Sequence, residues 1–306
     1  MIGRLLKELM RASWRYASFH VEGSRDSLRE GVAAPIRFKP AGVYDWQILR
    51  QPSSIYGGGP PLTLLDLLVH EPKFILDVGC SSGDFAAGAK RRFPRARVWG
   101  IEPNEEAARL AKSRIDRVLC QTIEKIDWGR EGVNRGNIDT VFLFDVLEHT
   151  YDPWNTLLQL RNMVSESAQL IVSIPNVRNV LLMQDLISGT WRYRRAGLLD
   201  ITHIRFFTSQ DMHRMFYQTG FRVVAADTVR CPGSSEVYEK YRRGSFPATV
   251  ELKSAAITVH SAEDLESLCA LQHIFVLQPA EHDQLSSGEL RWIDAPHPET
   301  VAYSPD

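Results

Sequence analysis

The sequence predicts an α/β domain: an open, mostly parallel sheet with helices on both faces. Three observations carry this. An apolar run, Phe74-Ile75-Leu76, meets an acid, Asp77, and then a small-residue turn, Gly79-Cys80-Ser81-Ser82-Gly83. An Ala-rich stretch from Phe85 to Lys90 follows and reads as a helix. A second apolar run, Val98-Trp99-Gly100-Ile101, closes on another acid, Glu102. Strand, tight turn, helix and strand open a nucleotide-binding βαβ unit. A strand buried on both faces is apolar throughout and does not alternate. Gly79 and Gly83 let the backbone turn sharply and approach a ligand closely. The helix that follows aims free N–H groups at that ligand.

The remaining elements follow in order. Ile2, Leu5, Leu6, Leu9 and Met10 fall on one face of a helix over residues 1–20, with Arg4, Lys7, Glu8 and Arg11 opposite. Such a helix packs on a domain or lies on an anionic membrane surface. Gly57-Gly58-Gly59-Pro60-Pro61 marks a boundary. Tyr44, Trp46 and Tyr56 precede it and can cover a ligand or join the core. Leu62 to Leu68 reads as a helix before the first strand. After the second strand come a helix at Ala107–Lys112 and a short strand at Arg117–Cys120. A fourth strand spans Asp139–Val146 and ends in Leu147-Glu148-His149. Asp152-Pro153 starts a helix, with Pro in the first turn as helices prefer. A fifth strand spans Ala168–Ile174.

Beyond it, Val177 to Ser188 reads as a helix in a cap segment, residues 177–208. That segment contains Gly189-Thr190-Trp191-Arg192-Tyr193 and Leu199-Asp200-Ile201-Thr202-His203-Ile204-Arg205. Thr208 is placed to N-cap the next helix. Phe221–Val229 is the sixth strand, residues 231–260 an insertion, Ala262–Ala270 a helix and His273–Leu277 the last strand. Residues 281–306, with scattered acids and prolines, read as a loosely ordered tail.

Composition narrows the function. A net charge of −1 carries no nucleic-acid signature. The cysteines, Cys80, Cys120, Cys231 and Cys269, form no C-x-x-C pair, which argues against a zinc or disulfide framework and fits a reducing compartment. No apolar stretch is long enough to span a bilayer. No His/Asp/Glu set has a spacing that demands a metal, so no metal site is expected.

Three chemistries compete for the turn. A dinucleotide-binding dehydrogenase needs G-x-G-x-x-G, and Ser81 and Asp84 occupy the later glycine positions. A hydrolase nucleophile elbow fits Gly79-Cys80-Ser81-Ser82-Gly83 literally, but leaves Glu102 without a use. An S-adenosylmethionine site wants an acid at the strand end, small residues in the turn and a second acid one strand later. Asp77 and Glu102 supply both. An acid at Glu102 can accept from both hydroxyls of an adenosine ribose.

On these residues the chain resembles a class I S-adenosylmethionine-dependent methyltransferase. It is most similar to the group that holds the ubiquinone-biosynthesis O-methyltransferases, and within it to members associated with cell-surface polysaccharide biosynthesis. The resemblance covers roughly residues 72–230, with a weaker echo to about 280. It implies a Rossmann-like three-layer sandwich with a seven-stranded sheet of order 3-2-1-4-5-7-6, the last strand antiparallel. It divides the chain into an N-terminal helical extension (1–56), a methyltransferase domain (57–280) and the tail (281–306).

The resemblance implies S-adenosyl-L-methionine as cofactor. Asp77 is expected at the donor's amino end. Gly79, Ser81 and Gly83 shape the methionine pocket, with Cys80 a small buried filler there. Ser81 replaces a glycine usual in the wider class, and its hydroxyl can bond the donor's carboxylate. Glu102 and Pro103 serve the ribose. Thr122 and Ile123 lie at the adenine edge, with Thr122 where the family has Asp. Phe144 and Asp145 end the fourth strand beside the transferable methyl. Two histidines compete for the base, His149 and His203, with Asp200 placed to orient His203 or to fix the loop. Arg192 and Arg205, with Arg194 and Arg195 beside them, suit an anionic acceptor. The expected activity is O-methylation of a small-molecule, sugar or lipid-linked glycan acceptor; a non-catalytic donor-binding scaffold is the alternative. The expected location is cytoplasmic, with contact to the inner membrane face through the N-terminal helix.

Overall fold

The computed structural model describes residues 59–194 and 196–280. The helix expected over residues 1–20, the aromatic residues Tyr44, Trp46 and Tyr56, Arg195 and the tail 281–306 lie outside the described residues. A 3-10 helix, Leu62–Leu67, leads into β1 (Phe74–Val78). Then follow α1 (Asp84–Arg92), β2 (Arg97–Ile101), α2 (Glu105–Ala111), β3 (Arg117–Leu119) and β4 (Ile138–Phe144). The chain continues through α3 (Pro153–Met163), β5 (Val164–Pro175), α4 (Val180–Ile187), α5 (Ser209–Gln218) and β6 (Phe221–Val229). It closes with α6 (Pro232–Tyr241), β7 (Ala248–Glu251), β8 (Ala256–Val259), α7 (Ala262–Cys269) and β9 (Gln272–Pro279).

Seven strands form one sheet in the order β3-β2-β1-β4-β5-β9-β6. The pairs from β3 to β5 are parallel, and β9 runs antiparallel between β5 and β6. This is the expected Rossmann-like order, with β9 as the seventh strand of the sheet. All five residues of β1 are buried, as its apolar run requires. Alternate side chains feed two cores. Phe74, Leu76 and Val78 join Leu157 and Leu160 of α3 and Met212, Met215 and Phe216 of α5. Ile75 faces the other way, onto Phe85, Ala86 and Ala89 of α1, Ala108 and Ala111 of α2 and the 3-10 helix leucines. Three layers result.

The structure moves several expected boundaries. β5 begins at Val164, well before Ala168, because Ile138 pairs with Val164 before the register shifts. Glu166 and Ser167 there are exposed, so this part carries no apolar pattern. The cap helix begins at Val180 and not at Val177. Asn176 Oδ1 accepts from Arg178 N and Asn179 Oδ1 from Leu181 N, and these local turns hold the preceding residues out of the helix. Thr208 caps α5 as expected, accepting from Asp211 N. The insertion is itself structured: α6 is followed by a β7–β8 hairpin. With Val180 of the cap and Leu265, Leu268 and Cys269 of α7, the hairpin's Val250 and Val259 form a third, smaller core. No helix among the described residues is long and apolar enough to cross a membrane.

The join between sheet and cap rests on two fully buried asparagines. Asn176 Nδ2 donates to the carbonyls of Ser267 (2.8 Å) and Ala270 (2.9 Å), and Asn179 Nδ2 donates to Ala270 O at 2.9 Å. Asn176→Ala strands buried carbonyls and is expected to cost about 1–3 kcal/mol. A urea titration reads this as a lower midpoint with an unchanged slope.

Candidate active site

Because β3, β2, β1 and β4 are parallel, their carboxyl ends meet along one edge. Strand order reverses between β1 and β4, the place where open α/β sheets bind ligands. The turn after β1, Glu102 and Pro103 after β2, Thr122 and Ile123 after β3, and Phe144 and Asp145 at the end of β4 all lie there. A cavity of about 530 Å³ beside Val69, Glu166 and Arg222 opens at the other edge and contains none of these residues.

The turn is built by its backbone. Gly79, Ser81 and Gly83 have φ of 71°, 51° and 79°. A Cβ on Gly79 would lie 2.8 Å from Val146 Cγ2, and one on Gly83 2.9 Å from Ala111 Cβ. Both positions therefore require glycine for space as well as for conformation. Gly79 N and Cys80 N both donate to Ile101 O, at 2.8 and 3.0 Å. Ser81 holds a left-handed conformation that non-glycine residues rarely adopt. Its N–H donates to Glu102 Oε2 at 2.9 Å, and Asn104 N donates to Oε1 of the same carboxylate at 2.8 Å. Glu102, read from sequence as a ribose acceptor, is thus also the clamp that holds the turn.

Asp77 and Glu102 are both buried. Burial, with the Glu102 charge adding to it, pushes the Asp77 carboxyl up to about 8. Burial also raises Glu102, while the N–H groups of Asn104 and Ser81 pull it down. Two acids in one dry place, with backbone donors serving only one of them, call for a cation beside Asp77. Ser81 Oγ is buried and has no hydrogen-bond partner among the described residues, so no base among them activates it as a hydrolase elbow requires. Cys80 is the filler expected: its side chain lies over Gly100 in the core, and burial raises its thiol far above the usual range.

At the β3 end, Thr122 O accepts from Lys125 N to start the 3-10 helix Ile123–Lys125, whose Ile123 is buried. The Thr122 hydroxyl makes no cap bond there. Pro103 is exposed at the turn into α2. At the β4 end, Phe144 stacks on Phe142 and meets the edge of Phe85 at 5.0 Å between centroids. Asp145 has φ 55° and is pinned: Ser173 Oγ and Gln272 Nε2 both donate to its Oδ1, at 2.8 and 2.7 Å. Gln272 comes from β9, so only the sheet order brings it here.

The structure brings the two candidate histidines together. Their rings meet edge to face at 4.7 Å. His149 is exposed and its Nδ1 lies 3.2 Å from both Thr202 O and Thr202 Oγ1. His203 is 8% exposed and bonds Leu198 O through Nδ1 at 3.1 Å. Burial, then the His149 charge, lowers His203 to about 4, so its ring is neutral near pH 7. Asp200 Oδ1 accepts from Thr202 N and Thr202 Oγ1, at 2.8 and 2.6 Å. Of its two expected roles the hydrogen bonds display loop fixing; the carbonyl of Leu198 orients His203. Glu148, 1% exposed, escaped the sequence reading as a site residue. Burial, with Asp145 adding to it, raises its carboxyl well above the usual carboxylate range. The available signal was an acid directly after an apolar strand. The backbone carbonyl of Glu148 accepts from Ile204 N and Arg205 N, which ties the cap to the sheet edge.

Arg192 and Arg205 are exposed on either side of the Trp191–Phe206 ring contact. Arg205 already donates to Ile204 O and Tyr151 O, so part of its fork holds the loop. The packing under the turn gives a direct check. A Cβ on Gly100 would lie 2.4 Å from Cys80 Sγ. Gly100→Ala is expected to destabilise by about 1–3 kcal/mol. Adding Cys80→Ala recovers part of that loss, and a thermodynamic double-mutant cycle measures the coupling.

A family model described as a methyltransferase domain matches residues 62–226. A curated relative, an uncharacterised 37.1 kDa protein in transposon TN4556 of Streptomyces fradiae, is 30% identical over 115 residues. That match spans 37% of this chain and one third (33%) of the relative. Among solved structures, an S-adenosylmethionine-dependent methyltransferase from Thermotoga maritima has TM-score 0.46 at 17% identity, over 72% of this chain and 87% of that one. One from Archaeoglobus fulgidus has TM-score 0.47 at 16% identity, over 68% and 86%. The family model covers more than half of the sequence and the whole βαβ unit with its acids, so the chain belongs to the methyltransferase domain family.

Proposed function

We propose that this chain transfers the methyl group of S-adenosyl-L-methionine to an oxygen of a small-molecule, sugar or lipid-linked glycan acceptor. One observation carries the reading: two buried acids under a positive-φ turn at the switch point, with a histidine pair across the same edge. The cradle fits the donor. Gly79, Ser81 and Gly83 bend the turn through three positive-φ residues, and the buried Ser81 hydroxyl has no partner among the described residues. When bound, S-adenosyl-L-methionine supplies an electrophilic methyl on a sulfonium.

Asp77 receives the donor's amino end, and Ser81 its carboxylate. Glu102 keeps lone pairs for the ribose hydroxyls beyond the two it gives to the turn. Pro103, Thr122 and Ile123 border the adenosine, and Phe144 and Asp145 wall the methyl. The acceptor enters under the cap, beside the Glu148–His149–His203 cluster. Positioning accounts for much of such a rate, on the order of 7–11 kcal/mol in favourable cases. The exposed Leu186, Ile187, Tyr193, Ile204 and Phe206 of the cap suit an acceptor with an apolar portion. Arg192 and the open part of the Arg205 fork suit an anionic group on it.

Donor binding should depend on pH through Asp77. An ammonium beside it requires the ionised carboxylate, whereas the free protein holds Asp77 protonated below about 8. Donor binding therefore expels a proton at pH 7, and affinity rises with pH until it levels near pH 8. There the donor's own α-amino group, with a usual pKa of about 7.7–8.0, begins to lose its proton. Calorimetry in buffers of different ionisation enthalpy counts the proton, and Asp77→Asn abolishes its release. A donor affinity flat from pH 6 to 8 would remove Asp77 from the amino end.

Glu102→Gln is expected to weaken donor binding roughly 10- to 150-fold, the worth of a charge-assisted hydrogen bond. Unchanged affinity contradicts the ribose assignment. His149→Ala is expected to lower kcat by roughly 10²–10⁴-fold with donor Kd intact. Mass spectrometry over nucleotide sugars, glycolipids and phenols reads the transfer. Donor binding without transfer to any of them supports the non-catalytic scaffold.

A further inference from the structure

We propose that Glu148, His149 and His203 hold one divalent transition-metal ion at the carboxyl end of β4, under the cap. One ligand atom from each lies within 4.8 Å of the other two. His203 Nε2 is 3.9 Å from Glu148 Oε1. A tetrahedral ion with ligand distances of about 2.0–2.2 Å sets its ligands roughly 3.3–3.6 Å apart. The trio stands slightly wider than that, so binding requires a small inward shift of its exposed member, His149.

The second observation is the state of Glu148. It is 1% exposed, yet neither carboxylate oxygen has a hydrogen-bond partner among the described residues. Buried carboxylates are ordinarily paired, hydrogen-bonded or bound to metal. A bond to His203 does not answer this, because 3.9 Å is too long for one and leaves the other oxygen bare. The backbone of Glu148 is meanwhile clamped by Ile204 N and Arg205 N, so the side chain is held in place without a partner.

The third is the orientation of both imidazoles. His203 Nδ1 faces Leu198 O, a pure acceptor, and so carries the proton. Thr202 Oγ1 gives its own proton to Asp200 Oδ1, so at His149 the Nδ1–H again faces acceptors, Thr202 O and Oγ1. Each ring is left with an unprotonated Nε2. A carbonyl behind the far nitrogen is how metal-ligating histidines are usually held. Asp200 and Thr202 thereby become supports of the site.

Two imidazoles and one carboxylate suit Zn²⁺, Co²⁺, Fe²⁺ or Mn²⁺. Three protein ligands leave a position open, the mark of a reactive site and not a structural one. Its role rests on the methyl-transfer reading: an acceptor hydroxyl on the ion loses its proton to solvent more readily. That oxygen then forms the O–C bond as the donor's C–S bond breaks, and the sulfonium becomes a neutral thioether.

The test is a titration of chelator-treated full-length protein with Co²⁺, read by visible d–d absorption, with Zn²⁺ as competitor. Donor binding and thermal melting are measured on the same samples. The expected result is saturation at one equivalent, displacement by Zn²⁺, and affinity at least roughly 100-fold weaker in Glu148→Gln and His203→Ala. Should either buried variant fail to melt cooperatively, His149→Ala, at an exposed position, gives the same reading. Folded protein with no saturable Co²⁺ or Zn²⁺ binding overturns the proposal, as does binding unaffected by these substitutions. Metal binding as expected in a protein that does not bind the donor leaves the site standing and overturns the methyl-transfer reading instead.

Discussion

A single carboxylate accepts two backbone N–H bonds, from Ser81 and from Asn104, and so joins the end of β1 to the end of β2. Much of the active edge depends on this. The bond to Ser81 sustains a left-handed conformation at a residue with a side chain. It thereby sets the course of the turn and the entry angle of α1. The bond to Asn104 starts α2, whose Ala111 packs against Gly83 and closes the turn from outside. In the proposed donor site the same acid also meets the ribose, which gives one side chain two tasks. Burial raises the carboxyl of its companion Asp77 to about 8, with the Glu102 charge adding to it.

The acceptor side follows a different logic. Its residues come from two distant stretches, the end of β4 and the cap, and are joined through the carbonyl of Glu148. The cap in turn rests on Asn176 and Asn179, which read the carbonyls at the end of α7. The insertion extends this support, since α6 and the β7–β8 hairpin share a core with α4 and α7. The residues proposed for the donor are thus placed by the sheet, and those proposed for the acceptor largely by a smaller unit that leans on it.

How much of this the sequence displays depends on the range of the interaction. β1, β2 and β4 are readable because strands buried on both faces carry continuous apolar runs; β6, a partly exposed edge strand, falls at Phe221–Val229 as read. The start of β5 is not readable, because Glu166 and Ser167 face solvent and only pairing makes them strand. The β7–β8 hairpin is hidden likewise, being half-exposed and short. The acids of the donor site stand out because each ends an apolar run. The clamp by Glu102, the closure over Asp145 by Gln272 and the meeting of His149 with His203 are tertiary contacts, and no local pattern encodes them.

The antiparallel strand β9 has a consequence for how the domain is made. It lies between β5 and β6, yet it is the last strand of the sheet in the chain. During synthesis β6 emerges with no neighbour to pair with, since its partner in the sheet is β9 alone. The parallel half, β1 to β5, can assemble while the ribosome is still working. The other half waits until residues 272–279 have left the exit tunnel. Until then the open flank of β5 presents unpaired N–H and C=O groups, the kind of edge that invites pairing with another chain. Folding of this protein is therefore divided in time between the β1–β5 half and the β9–β6 flank.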